Sequence, residues 1–219
     1  MKKSSGFTLI ELAIVLVIIG LLLGGVLKGQ ELINSAKVKN LAADFKNVQV
    51  YVYAYQDKYR ALPGDDGAAD THLGLAAEVV RPGNSNGVIN GAWNSTELNA
   101  ESVRFWQHVR LAGFAPGQTV AAAAADLYQM NSEGGRIGIQ SVSGDAGIPS
   151  APTAMTSGNV ICSGAIQGKF AKQIDLTLDD GDTATGSVRA YATGVANWAP
   201  LTGAGAIADA QQYNVCMSF

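Results

Sequence analysis

Three sets of residues in this chain have types and spacings that could do chemistry. The first is Gly6-Phe7-Thr8-Leu9-Ile10-Glu11, where a short basic segment, Met1–Gly6, meets an apolar run that continues to Leu27. A secretory signal is normally cut after its apolar segment, at a small-residue site. Here the run is followed by Leu27-Lys28-Gly29-Gln30-Glu31, and the small residue suited to a cut, Gly6, lies before it. Cleavage after Gly6 would leave the apolar segment on the mature protein, beginning with a new amine at Phe7. Glu11 is the one carboxylate in the run, and a charge inside a membrane helix costs about 2.5–3.5 kcal/mol on insertion scales. The second set is Cys162 and Cys216, the only cysteines. The third is a group of oxygen-rich turns: Asp65-Asp66, Asn84-Ser85-Asn86-Gly87 and Asp179-Asp180-Gly181-Asp182.

Catalytic chemistry has little support. The two histidines, His72 and His108, sit in no metal-binding pattern, and no nucleophile elbow, P-loop or dinucleotide fingerprint occurs. No catalytic residue and no cofactor are assigned. The formal net charge is −3; removal of Lys2 and Lys3 from 15 basic residues, against 18 acidic, makes it −5. That balance gives no electrostatic case for nucleic acid as a partner.

The elements that must position these residues begin with a helix. Phe7–Leu27 spans 21 residues, about 32 Å as an α-helix and enough to cross a bilayer. The basic leader predicts a cytoplasmic N-terminus, with the chain after Leu27 on the periplasmic or outer side. Gly20/Gly24 and Gly25/Gly29 are small-residue pairs at four-residue spacing, suited to close helix packing or to local flexibility. No Pro precedes Ala61, so this cluster is the only candidate hinge. Beyond the span, Val38, Leu41, Phe45, Val48, Val52, Tyr55 and Tyr59 step by three and four, making one apolar stripe, while Lys37, Asn40, Asp44 and Asn47 make a polar one. Pro63 and Gly64 stop the helix. Further on, 65–94 reads as loop, 97–112 as a second helix, 136–142 as a strand and 143–158 as a Gly/Pro/Ser-rich loop. The alternation of Ile174-Asp175-Leu176-Thr177-Leu178 predicts a strand, followed by the 179–182 turn and strands over 187–192 and 213–219. The expected fold is α+β: a long N-terminal helix, membrane-spanning in its first half, packed on a small, mainly antiparallel sheet. The divisions are a leader at 1–6, a helix at 7–59 with its membrane part at 7–27, and a globular head with loop-rich insertions at 60–219.

Gly6-Phe7-Thr8-Leu9-Ile10-Glu11 with its basic leader and apolar run closely resembles the prepilin family, which comprises type IV pilins, type II secretion pseudopilins and their minor relatives. The resemblance implies cleavage between Gly6 and Phe7 by prepilin peptidase, and methylation of the Phe7 amine. It also implies a pilin-like head, an inner-membrane assembly platform and other pilin subunits as partners, and a filament whose core is made of these helices. In that filament Glu11 would pair with the Phe7 amine of a neighbouring subunit and set the register. The protein would be a single-pass inner-membrane protein before assembly, and a periplasmic or cell-surface filament afterwards. Segments 62–65, 105–113 and 179–190 also resemble heads of pilin-like proteins from Gram-negative bacteria. The leading expectation is a structural pilus subunit, major or minor, with roles in adhesion or secretion; the alternatives are a secretion pseudopilin and a membrane-anchored enzyme.

Two cysteines in an exported head suggest a disulfide between Cys162 and Cys216. It would close a loop of 55 residues, counted inclusively, and pin a C-terminal strand otherwise free to fray. Pro82–Ile89 resembles the middle of an EF-hand loop, but Pro82 stands where the first Asp belongs and Trp93 where the Glu belongs. Turn chemistry is the better reading of all three oxygen-rich stretches, and no metal ligand is assigned.

Overall fold

The computed structural model describes residues 8–76, 79–142, 155, 158–193, 201 and 207–219. The leader, Gly6 and Phe7 lie outside them, as does the expected 143–158 loop apart from Met155 and Gly158. The chain divides into two compact units, Met1–Lys37 and Val38–Phe219.

Helix α1 runs from Leu9 to Tyr59 and contributes to both units. Its buried residues are Val38, Leu41, Phe45, Val48, Val52 and Tyr55, all on the apolar stripe read from the sequence, together with Ala42 beside it; Tyr59, the last of the stripe, packs partly buried against the same core. The second unit therefore begins at Val38 rather than near residue 60, because this half-helix is part of the head's core. The helix stops where Arg60 takes a left-handed conformation (φ 56°) ahead of Pro63, which cannot continue it.

The sheet has five antiparallel strands: β1 (Gln129–Met130), β2 (Arg136–Ser141), β3 (Asn159–Gln167), β4 (Val188–Ala192) and β5 (Gln212–Ser218), in the order β1-β2-β3-β5-β4. One face, with Ile137, Ile139, Ile161, Val188, Val215 and Met217, shares a core with α1. The other carries a smaller cluster of Trp93, Val160, Cys162, Tyr191 and Cys216. The alternation of Val160, Ile161 and Cys162 between the two clusters is the period of a strand covered on both sides.

Three expectations change. Residues 174–178 are not a strand but the end of a helix, α4 (Gly168–Leu178). Five alternating residues cannot separate the two periods; extended backwards, Phe170, Ile174 and Leu178 recur every four residues, and Phe170, Ala171 and Ile174 are buried. The stretch 65–94 holds a short helix, α2 (Ala69–Leu73). The helix expected from residue 97 is α3 (Glu101–Leu111). Phe105, Trp106 and Val109 of α3 are buried as expected, but so are Gln107, His108 and Arg110, because loops cover its other side. Gln107 donates to the carbonyls of Val79 and Thr119, and Arg110 to those of Pro116, Gln118 and Leu127.

His108 ties down the turn after α1. Its Nδ1 accepts the Gly64 amide at 3.0 Å and its Nε2 lies 3.3 Å from the Arg81 carbonyl, which fixes a neutral imidazole with Nε2 as donor. Gly64 sits at φ +93°, and a Cβ there would run into the Glu101 carbonyl, so the close approach depends on glycine. Burial pushes His108 down to about 4, with the Arg81 carbonyl offsetting only part of this. The unfolded chain takes up a proton near 6.5 and the folded chain only near 4. Stability is therefore fully present above 6.5 and is lost as pH falls through 4, by about 3 kcal/mol. Denaturant unfolding of the detergent-solubilised chain between these pH values should show that loss. His108→Asn, which keeps an acceptor for Gly64, should flatten it; an unchanged slope in the variant would assign the acid sensitivity to other groups.

Candidate functional site

The N-terminal end of α1 is closed by its own side chains. The Thr8 amide donates to Glu11 Oε2 at 2.8 Å, the Thr8 hydroxyl donates to the same oxygen at 2.7 Å, and the Glu11 amide donates to Thr8 Oγ1 at 3.3 Å. This is a reciprocal capping box, Thr-x-x-Glu, which satisfies two amide donors that a helix end leaves open. The Thr8-x-x-Glu11 spacing is the sequence signature of this cap. Glu11 thus has a local role in a single chain. The capping also fixes where its carboxylate stands, at the first turn of α1.

Residues 8–28 are exposed throughout, and α1 is long and apolar enough to cross a membrane. An apolar surface of this extent, including Leu9, Leu16, Val17, Leu21 and Leu27, is not left in water; it marks a membrane or protein contact. Lys28 and Glu31, paired at 2.7 Å, mark the return of charge after the span. A Cβ on Gly20, Gly24, Gly25 or Gly29 would meet no atom within 4 Å, so no contact within the described chain requires these residues to be small. The helix runs unbroken through the four glycines.

In the head, Cys162 and Cys216 are joined, with Cα atoms 4.1 Å apart. They stand directly opposite each other on β3 and β5. The bond therefore staples two adjacent inner strands rather than tethering a loose end. The C-terminal strand is not free to fray: β5 lies between β3 and β4, and Phe219 exchanges backbone hydrogen bonds with Asn159.

The oxygen-rich stretches divide into two kinds. Around Pro82–Asn90 the backbone amides point at carboxylates. Those of Asn86 and Gly87 donate to Asp65, and those of Asn84 and Asn90 to Glu101. Asn84 and Asn86 use their side-chain oxygens in turns, accepting from the residues two positions on. The EF-hand-like spacing is thus turn chemistry wrapped around two acids. Burial raises Glu101, aided by the charge of Asp65 and opposed by the Asn90 and Asn84 amides. Asp66 accepts from Tyr55 Oη and from His72 Nδ1, each at 2.7 Å, and from the Ala68 amide at 3.0 Å. Burial favours its proton, but these bonds outweigh it and hold Asp66 below the usual carboxylate range. This network locks the 65–72 turn against α1. The second kind is the turn after α4, where Asp179 accepts the Val188 amide, Asp180 the Asp182 amide and the Thr185 hydroxyl, and Asp182 the Ala184 amide. Asp44, expected on a solvated stripe, is instead half-buried. Burial raises its carboxyl, offset in part by the Ser132 amide, where it lines a cavity of about 230 Å³ with Tyr51, Trp106 and Gln129.

An exposed apolar helix capped by Thr8 and Glu11, its second half packed on an antiparallel sheet, fits a membrane-anchored architecture. Residues 1–27 match the family described as the prokaryotic N-terminal methylation motif, the N-terminal signal of type IV pilin-type proteins. The remaining residues, 28–219, lie outside that match. No curated protein and no solved structure matches the chain. The one N-terminal apolar helix fits the single-pass inner-membrane anchor typical of pilin-type proteins.

Proposed function

We propose that this chain is a structural subunit of a type IV pilus-like filament. It is cut by prepilin peptidase between Gly6 and Phe7, N-methylated at Phe7, and assembled through α1 with other pilin subunits on an inner-membrane platform. The observation that carries this reading is the methylation motif over residues 1–27 on a helix that is exposed and, Glu11 apart, apolar from Leu9 to Leu27. A processing signal placed before such a segment retains it, and a retained apolar helix packs either against lipid or against copies of itself. The four unshielded glycines suit close helix–helix approach in that second state. The disulfide favours a pilus subunit over a secretion pseudopilin. The head's role is structural; adhesion or a part in secretion would be exercised by its outward face after assembly in the periplasm or at the cell surface.

Intact mass measured from cells with and without prepilin peptidase tests this. With the peptidase, the chain should begin at Phe7 and carry one added methyl group; without it, the chain should begin at Met1. An uncut chain in both strains, or a chain beginning beyond the apolar segment, would overturn the assignment.

A further inference from the structure

Helix α1, helix α3 and the β1 edge of the sheet border a cavity of about 230 Å³. Asp44, Asn47, Val48 and Tyr51 line it from one face of α1, at the three- and four-residue spacing of helical neighbours. Trp106 lines it from α3 and Ile137 from β2. Val48, Trp106 and Ile137 are buried, whereas Asn47 and Pro116, also in its wall, are exposed, so the cavity reaches the surface. It lies wholly within the head, and assembly through the first half of α1 makes no use of it.

Two polar atoms of this wall, Asp44 Oδ2 and Trp106 Nε1, are buried without a hydrogen-bond partner. Such groups are ordinarily paired, and their neighbours are committed elsewhere. The Ser132 amide offsets only part of the burial that raises the Asp44 carboxyl. The Arg110 guanidinium lies 5.6 Å from the centre of the Trp106 ring, but it donates to the carbonyls of Pro116, Gln118 and Leu127 and to Gln129 Oε1. Gln129, also in the wall, spends its Nε2 on the Met130 carbonyl.

The two missing partners are of opposite kinds. An indole N–H only donates, and an ionised carboxylate oxygen only accepts. An ammonium or guanidinium ligand would serve Asp44 and leave Trp106 unpaired. An anion would serve Trp106 and meet the charge of Asp44. A hydroxyl both donates and accepts. Val48, Pro116, Ile137 and the rings of Tyr51 and Trp106 make the rest of the wall apolar or aromatic, which suits the C–H face of a ring carrying hydroxyls on its rim. At about 30 Å³ per water, 230 Å³ has room for roughly seven waters. That is space for one sugar ring, below the about 300–1,000 Å³ of a drug-sized site.

We propose that this cavity binds a single sugar ring, free or at the end of a glycan, whose hydroxyls donate to Asp44 Oδ2 and accept from Trp106 Nε1.

The experiment uses the full-length chain, labelled with ¹⁵N at its tryptophan indoles, in a detergent without a sugar headgroup. The methyl glycosides of glucose, galactose and N-acetylglucosamine are titrated in turn. At least one should move the Trp106 indole resonance saturably, with Kd in the millimolar range expected of so small a ligand. Loss of that resonance in Trp106→Phe assigns it. Trp93, in the cluster on the other face of the sheet, should not respond. Asp44→Ala removes the acceptor at a helix position that alanine suits, and should weaken binding about tenfold or more. Trp106→Phe keeps a ring and removes the donor. Ligand-observed saturation transfer should show binding to it weakened about threefold to tenfold. A trisaccharide ending in the preferred ring distinguishes the two sources: equal binding assigns the end of a glycan, and loss of binding assigns a free sugar. No saturable shift with any glycoside would overturn the site, leaving the two atoms to water. Unchanged affinity in either variant would overturn it equally, as would a response to n-butylamine and to none of the glycosides.

Discussion

Glu11→Gln should abolish filament assembly while leaving the protein folded and in the membrane. The substitution separates two roles that Glu11→Ala would merge. In the single chain Glu11 caps α1 through Oε2, and Gln at this position of a capping box accepts the same bonds. Helix start and membrane insertion should therefore survive it. What Gln cannot supply is the negative charge. In the proposed filament core of apolar helices, the amine that processing would create at Phe7 would be a buried cation, and removing its partner would cost about 3–5 kcal/mol. That corresponds to more than a hundredfold loss of assembled subunit at equilibrium. Thr8→Ala is the complementary control. It removes one half of the cap and leaves the charge, at a cost of about 0.5–2 kcal/mol to the helix end, so assembly should weaken without failing. Sheared-filament yield reads the outcome, or incorporation of a tagged chain into another pilin's filament if this is a minor subunit. Wild-type yield from Glu11→Gln together with failure of Thr8→Ala would reverse the assignment and make capping the essential role.

The parts of this architecture that could be read from the sequence are those where a single physical pattern runs for many residues without competition. The stripe from Val38 to Tyr55 repeats over five helical turns, and the buried residues of α1 are those of the stripe and Ala42 beside it. Val188–Ala192 and Gln212–Ser218 lie within a residue of their expected bounds, because turn signals bracket them. Patterns that are short or shared between periods misled. Ile174–Leu178 alternates for five residues and is helical, since its partners in the core lie one turn back, at Phe170 and Ala171. The head's polar interior was less legible still. Nothing in the spacing of His108, Gln107 or Arg110 shows that loops will close over the polar side of α3 and take all three as donors or acceptors. Such bonds join residues up to 44 positions apart and leave no local signature. In the alternation Asp175 falls on the polar side of a strand, and only the helix makes it a carboxylate turned inward.

Replacing both cysteines with alanine should lower the melting temperature of the head by about 10 °C without altering its native fold. The 55-residue loop is a constraint on the unfolded chain, worth about 4 kcal/mol in chain entropy. A loss of 1 kcal/mol moves the midpoint of a domain this size by about 2–4 °C. Against a net stability of about 5–15 kcal/mol the bond is a large fraction. The fold itself should persist because the bridged residues already face each other on β3 and β5, whose backbones pair on both sides of them, at Ile161↔Met217 and Ser163↔Val215. Alanine is preferred to serine because both positions are fully buried in an apolar cluster with Val160 and Tyr191, where two hydroxyls would add an unrelated cost. The C-terminus should stay protected from protease at low temperature, since β5 is held from both sides by β3 and β4, and become accessible only as the whole head unfolds. Thermal melts of the two proteins, with thiol labelling of the unreduced, unfolded wild type, decide the matter. Equal midpoints would show that the staple adds nothing to an already paired sheet. Two free thiols in protein taken from the periplasm would show that the bond does not form, and would remove the feature that favours a pilus subunit over a secretion pseudopilin.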